Sequence, residues 1–69
     1  MQLSARNQLK GTITAITRGE VMAEVTVDIG GGNTIVSAIT RGSVESLGLT
    51  EGATVVAIIK STEVILGKE

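Results

Sequence analysis

The sequence predicts an all-β fold, a small barrel of about five short strands with one helical turn between the third and the fourth. Three observations predict it. Val21, Ala23, Val25, Val27 and Ile29 alternate with Met22, Glu24, Thr26 and Asp28, the period of two of a strand with one buried face. Nine glycines and no proline punctuate the chain, so its segments are separated by turns. The apolar fraction, 42%, contains no Phe, Tyr or Trp, which leaves Val, Ile, Leu, Ala and Met to build a core suited to a narrow barrel.

The elements follow in order. Leu9 to Thr17, rich in Thr and Ile, reads as the first strand and ends at the turn signal Arg18-Gly19. Val21 to Ile29 is the second. Gly30-Gly31-Gly32-Asn33 marks a turn, and Thr34 to Thr40 is the returning third strand. Ser43 to Gly48 reads as one helical turn, with Ser43 as its N-cap and Gly48 as its left-handed stop. After the turn Thr50-Glu51-Gly52 come a fourth strand, Ala53 to Lys60, and a short fifth one, Glu63 to Leu66. This order fits a partly open, five-stranded Greek-key barrel of the OB type. The strand count alone suits an SH3-like barrel equally well. The 69 residues, without a repeat or low-complexity stretch, are read as one domain spanning 1–69.

Two features call for a homo-oligomer. A chain this short buries only about 60% of its unfolded surface, so a lone core is marginal. With no Cys and no His, neither disulfides nor the commonest metal ligands can compensate. In addition, Ile35 to Ile39 and Val55 to Ile59 are apolar on both faces, as strands covered on both sides are. A single barrel covers only the inner face.

Composition also narrows the function. Without His or Cys the usual catalytic triads and thiol nucleophiles are missing, and Glu20, Glu24 and Asp28 are spaced as solvent-facing positions, so no enzyme is expected. Gly30 to Gly32 lacks the Lys-Ser or Lys-Thr of a phosphate loop and precedes a strand, so it reads as a turn. A net charge of −1 and the missing aromatics speak against a nucleic-acid-binding module. That reading stands as the alternative, beside an interaction domain without a ligand. No segment reaches the ~20 apolar residues of a membrane helix, and Met1 to Asn7 lacks the apolar stretch of a signal peptide. The expected location is the cytoplasm.

What remains is a sparse set of anion donors. Ser4, Ala5 and Arg6 open the chain, Thr40 and Ser43 bracket the start of the helical turn, and Lys60 and Ser61 follow the fourth strand. They offer hydroxyls, main-chain N–H groups and fixed positive charge. A fully deprotonated tetrahedral oxyanion only accepts hydrogen bonds, so its site must be built of donors, and charge-assisted ones are the strongest. Each residue also has an ordinary explanation: Ser43 as a cap, Lys60 as an edge-protecting charge, Arg6 on a terminal tail.

Taken together, these residues resemble the molbindin, or Mop, family and the related TOBE domains of molybdate transporters and regulators. The resemblance covers the whole chain. It rests on Ser4-Ala5-Arg6-Asn7-Gln8-Leu9-Lys10-Gly11, Met22 to Val25, Ser37 to Thr40 with Ser43, Leu47-Gly48-Leu49, Glu51-Gly52 and Lys60-Ser61-Thr62-Glu63. It implies an OB-like barrel, a hexamer built as a trimer of dimers, and storage or homeostasis of molybdate or tungstate at sites between subunits. By position, Ser4, Arg6 and the N–H of Ala5 would come from one subunit, and Thr40, Ser43, Lys60 and Ser61 from its neighbour. Arg6 and Lys60 would then balance the dianion, with no metal held directly by side chains. Arg41-Gly42, between Thr40 and Ser43, is a place where an added charge would tune affinity.

Overall fold

The computed structural model describes residues 1–69. It contains four strands, β1 (Asn7–Arg18), β2 (Met22–Gly30), β3 (Asn33–Thr40) and β4 (Thr54–Ile59). Between β3 and β4 lies one short helix, α1 (Arg41–Ser46), and a 3-10 turn covers Ser61–Glu63. The sheet order is β3-β2-β1-β4 with every pairing antiparallel. The last strand thus returns beside the first, the Greek-key order the sequence predicted.

β1 creates the curl. Its first half, Asn7 to Thr12, pairs with β4, and its second half, Thr12 to Arg18, pairs with β2. The two partners share only Thr12, and the register with β2 slips between Ile13 and Ala15. A bulge of this kind bends a strand and sharpens its twist. Gly11 stands at the corner. A Cβ there would lie 2.5 Å from the Asp28 carbonyl oxygen and 2.6 Å from Val27 Cγ1, so only glycine lets β2 approach. At the other end of β2, Gly30 pairs with Asn33 across a two-residue loop, Gly31 and Gly32, with φ of +64° and +78°. Positive φ at both positions is what a tight hairpin between twisted strands demands.

The inward face of β2 carries the core. Ala23, Val25 and Val27 are buried with Ile13 of β1 and Val44 of α1. Val21 continues the alternation in sequence but precedes the strand and is 71% exposed. The helix differs from expectation at its start: Thr40, not Ser43, is the N-cap, and α1 begins at Arg41. Its end is as predicted, with Gly48 at φ +63° and the N–H of Leu49 donating to the Val44 carbonyl at 3.0 Å.

The larger departure is at the C-terminus. Glu63 to Leu66, predicted as a fifth strand, pairs with nothing, so the chain forms a curled half-barrel of four strands with one short helix. Lys60 leads into the 3-10 turn, and the segment then leaves the sheet without reaching a partner edge on which its main chain could close hydrogen bonds. Val64, Ile65 and Leu66 are 47%, 93% and 89% exposed. The free edges are β3 and β4, and between them opens a groove of about 390 Å³ in which Ser37 is the one polar lining residue.

This openness shows in the surface. A folded monomer of 7.1 kDa exposes about 4,100 Å², whereas this chain exposes 5380 Å². Its radius of gyration, 12.7 Å, likewise exceeds the roughly 11 Å of a compact domain of this length. No helix is long and apolar enough to cross a membrane.

Candidate functional site

The donor residues singled out from the sequence lie at strand ends, Ser4, Ala5 and Arg6 before β1, Lys60 and Ser61 after β4, and Thr40 and Ser43 where β3 passes into α1. Arg6 and Lys60 are the residues immediately beyond Asn7↔Ile59, the last pair of β1 and β4. Both side chains are exposed, and neither joins an ion pair. The tail before β1 is tethered, since Gln8 Nε2 donates to the Ala5 carbonyl at 2.7 Å and Ala5 is half-buried. That hydrogen bond holds Ser4-Ala5-Arg6 beside the strand. Ser61 opens the 3-10 turn, where the Glu63 N–H donates to the Lys60 carbonyl at 2.9 Å. This end of the sheet therefore carries the cations Arg6 and Lys60 and the hydroxyls of Ser4, Ser61 and Thr62, with the carboxylate of Glu63 in the same turn.

Thr40 and Ser43 form a second cluster, at the end of β3. The Ser43 N–H donates to Thr40 Oγ1 at 3.0 Å, and the two hydroxyl oxygens lie 2.7 Å apart. One hydroxyl must donate to the other, which leaves the second hydroxyl proton free to point outward. The cap thus consumes the Ser43 N–H that the sequence offered as an anion donor, but not the hydroxyls. The structure joins Thr40 to Ser43, and places the chain positions of Arg6 and Lys60 just beyond the same end of the β1–β4 pairing. No hydrogen bond links the two clusters within the chain. No group of three His, Cys, Asp or Glu side chains gathers anywhere to hold a metal.

A family model for the TOBE domain matches residues 3–66. The chain belongs to the TOBE family. This TOBE chain is 52% identical over 66 residues to molybdenum-pterin-binding protein 1 of Clostridium pasteurianum, covering 96% of the chain and 97% of that relative. Among solved structures it resembles MopII from the same organism, with a TM-score of 0.91 and 49% identity over 97% of this chain and 100% of that one. It also resembles the cytoplasmic molybdate-binding protein ModG, solved with molybdate bound, at a TM-score of 0.92 and 49% identity. There the match covers 97% of this chain and 48% of ModG. The fold is thus that of the molbindin, or Mop, type of TOBE domain.

Two residues near the clusters escaped the sequence reading. Gln8 tethers the N-terminal donors, and Glu45 pairs with Arg41 at 3.2 Å. The spacing of four between Arg41 and Glu45 is a helical ion-pair signal. It was hidden because the helix was expected to start at Ser43.

Proposed function

We propose that this TOBE chain binds molybdate or tungstate without transforming it, at sites between copies of itself, for storage or homeostasis in the cytoplasm. The observation that carries the reading is the donor set. Ser4, Arg6, Thr40, Ser43, Lys60 and Ser61 contribute hydroxyls and fixed cations, and the two cations have no carboxylate partner. The Ala5 N–H completes it. In this reading Ser4, Ala5 and Arg6 come from one subunit, and Thr40, Ser43, Lys60 and Ser61 from its neighbour. Arg6 and Lys60 balance the two negative charges, so a chain of net charge −1 holds an anion through local field rather than net charge. The likeness to molybdate-bound ModG supports the choice of ion. A pterin is the weaker reading, because the chain has no aromatic ring to stack on it and the apolar groove offers a single hydroxyl.

The assembly is a homo-oligomer, a hexamer arranged as a trimer of dimers. The excess surface of roughly 1,300 Å² over a monomer of equal mass supports self-association, being of the size one subunit contributes to an obligate interface. Val56 and Ile58 on β4, 38% and 45% exposed, and Val36 on β3, 61% exposed, supply apolar surface for a neighbour along the groove they line. The open groove and the exposed Val64-Ile65-Leu66 segment are complementary in character, and their union between copies would close each OB-type barrel.

Isothermal titration with molybdate tests the site. Arg6→Ala and Lys60→Ala are each expected to weaken binding by at least tenfold, because removing one charge-assisted donor costs about 1.5–3 kcal/mol. Unchanged affinity in both variants refutes the assignment.

A further inference from the structure

Arg41 follows the hydroxyl of Thr40 directly and is the one cation of the chain that is already engaged. Its Nε donates to Glu45 Oε1 at 3.2 Å and its Nη1 to the Gly19 carbonyl at 3.5 Å. The main chain beneath is fixed as well, with the Arg41 N–H donating to the Val21 carbonyl at 2.8 Å. Thr40, Arg41, Gly42 and Glu45 line a single shallow depression, together with Glu20 and Val21. A Cβ on Gly42 would meet nothing within 4 Å, so no side chain covers the depression there. Arg41 and Thr40, one of the proposed oxyanion donors, therefore line one open hollow.

A carboxylate and a tetrahedral oxyanion are both acceptors only, and they compete for the same guanidinium N–H groups. The existing partner is a weak one. The Arg41 and Glu45 side chains are 46% and 64% exposed, and ion pairs this open contribute little. A dianion withdrawn from water between two chains is the stronger acceptor. We infer that Arg41 is a further donor to the bound oxyanion, and that Glu45 sets the affinity by competing for it. On binding, the Arg41 N–H passes from the Glu45 carboxylate to an oxygen of the ligand, and the carboxylate returns to water. The inference rests on the oxyanion reading proposed above.

Titration of the 69-residue chain with molybdate separates the two. Glu45→Gln keeps the shape of the side chain and removes its charge, and it tightens binding up to about fivefold, the most that release of an exposed ion pair provides. Arg41→Gln weakens binding, and the double variant binds like Arg41→Gln alone. Glu20→Gln, a carboxylate of the same hollow that forms no ion pair, measures the effect of charge removal alone and changes affinity less than Glu45→Gln. The Glu45→Gln gain shrinks in high salt. Unliganded melting temperatures equal to that of the parent chain certify that the variants fold. An affinity unchanged or lowered by Glu45→Gln overturns the inference. So does a gain that persists in the Arg41→Gln background, since Glu45 would then act through its field and not through Arg41. A parent chain that does not bind molybdate at all defeats the function itself, which is a different result.

Discussion

Thr40 is the helix cap and, in the proposed site, also a hydroxyl donor, and its neighbours show why the sequence assigned the cap to Ser43. Threonine and serine both cap helices, and Thr40 and Ser43 are three residues apart, so either can read as the cap. The choice fell to Thr40 because β3 delivers it at the end of its pairing with Met22, in the extended conformation, φ −70° and ψ 148°, that an N-cap requires. Thr40→Ala therefore removes a cap and a hydroxyl donor together. It is expected to lower stability by about 1 kcal/mol in denaturant titration, and to weaken molybdate binding in addition. Thr40→Ser keeps the oxygen and should restore both. Loss of stability with no change in binding would leave Thr40 with the structural role alone. Arg6 and Lys60, by contrast, were legible as donors from residue type alone, and although Glu63 follows Lys60 at a spacing of three, no ion pair forms between them. That their positions fall at the same end of the sheet was not legible, because it depends on the register of β1 against β4.

Among the elements, β2 and its hairpin were the most legible. The alternation of Ala23, Val25 and Val27 and the glycine turn are local signals, read within a few residues. β1 was harder. Its ends were set too short, because Asn7, Gln8 and Arg18 are polar residues held in the strand by pairing with β4 and β2 rather than by burial. The C-terminal segment is the instructive case. Val64-Ile65-Leu66 has the composition of a strand and none of the contacts of one. A strand exists only where an edge accepts its hydrogen bonds, and the free edges β3 and β4 of the chain are not reached by its own tail. If that segment covers the groove of a neighbouring copy, a chain ending at Glu63 loses the cover. It is expected to run as a smaller species in analytical ultracentrifugation, with a melting temperature below that of the full chain. Retention of the full oligomer by the shortened chain would show that the contact lies elsewhere, on the outer faces of β3 and β4.

The molecule taken whole is a half-barrel with more surface than its mass warrants. Five buried side chains are a thin core for 69 residues, so folding and association are expected to be coupled. Ligands that bind only the assembled state raise its stability by mass action, by about 2.7 kcal/mol at one hundred times the dissociation constant. Molybdate and tungstate are therefore expected to raise the melting temperature markedly. Sulfate, of equal charge and shape but smaller, should raise it less. Equal shifts with all three ions would mean that charge alone, and not the size of the cradle, is recognised. No shift with any of them would point instead to a TOBE domain serving only as an interaction unit.

Properties carried by neighbouring residues were settled in the chain itself: strand alternation, turn glycines, the lack of His and Cys, and hydroxyl and cationic residues near both ends. These depend on chemistry and on periods of two to four residues, which no later folding event alters. The tertiary structure decided which edges stay open, that β1 divides its pairing between β4 and β2, that the chain positions of Arg6 and Lys60 fall beyond the same end of the β1–β4 pairing, and that Arg41 is held by Glu45 next to Thr40. Such outcomes are set by long-range register and by the exact residue at which a helix begins. A shift of one position reverses which face a side chain occupies, and local composition does not encode it.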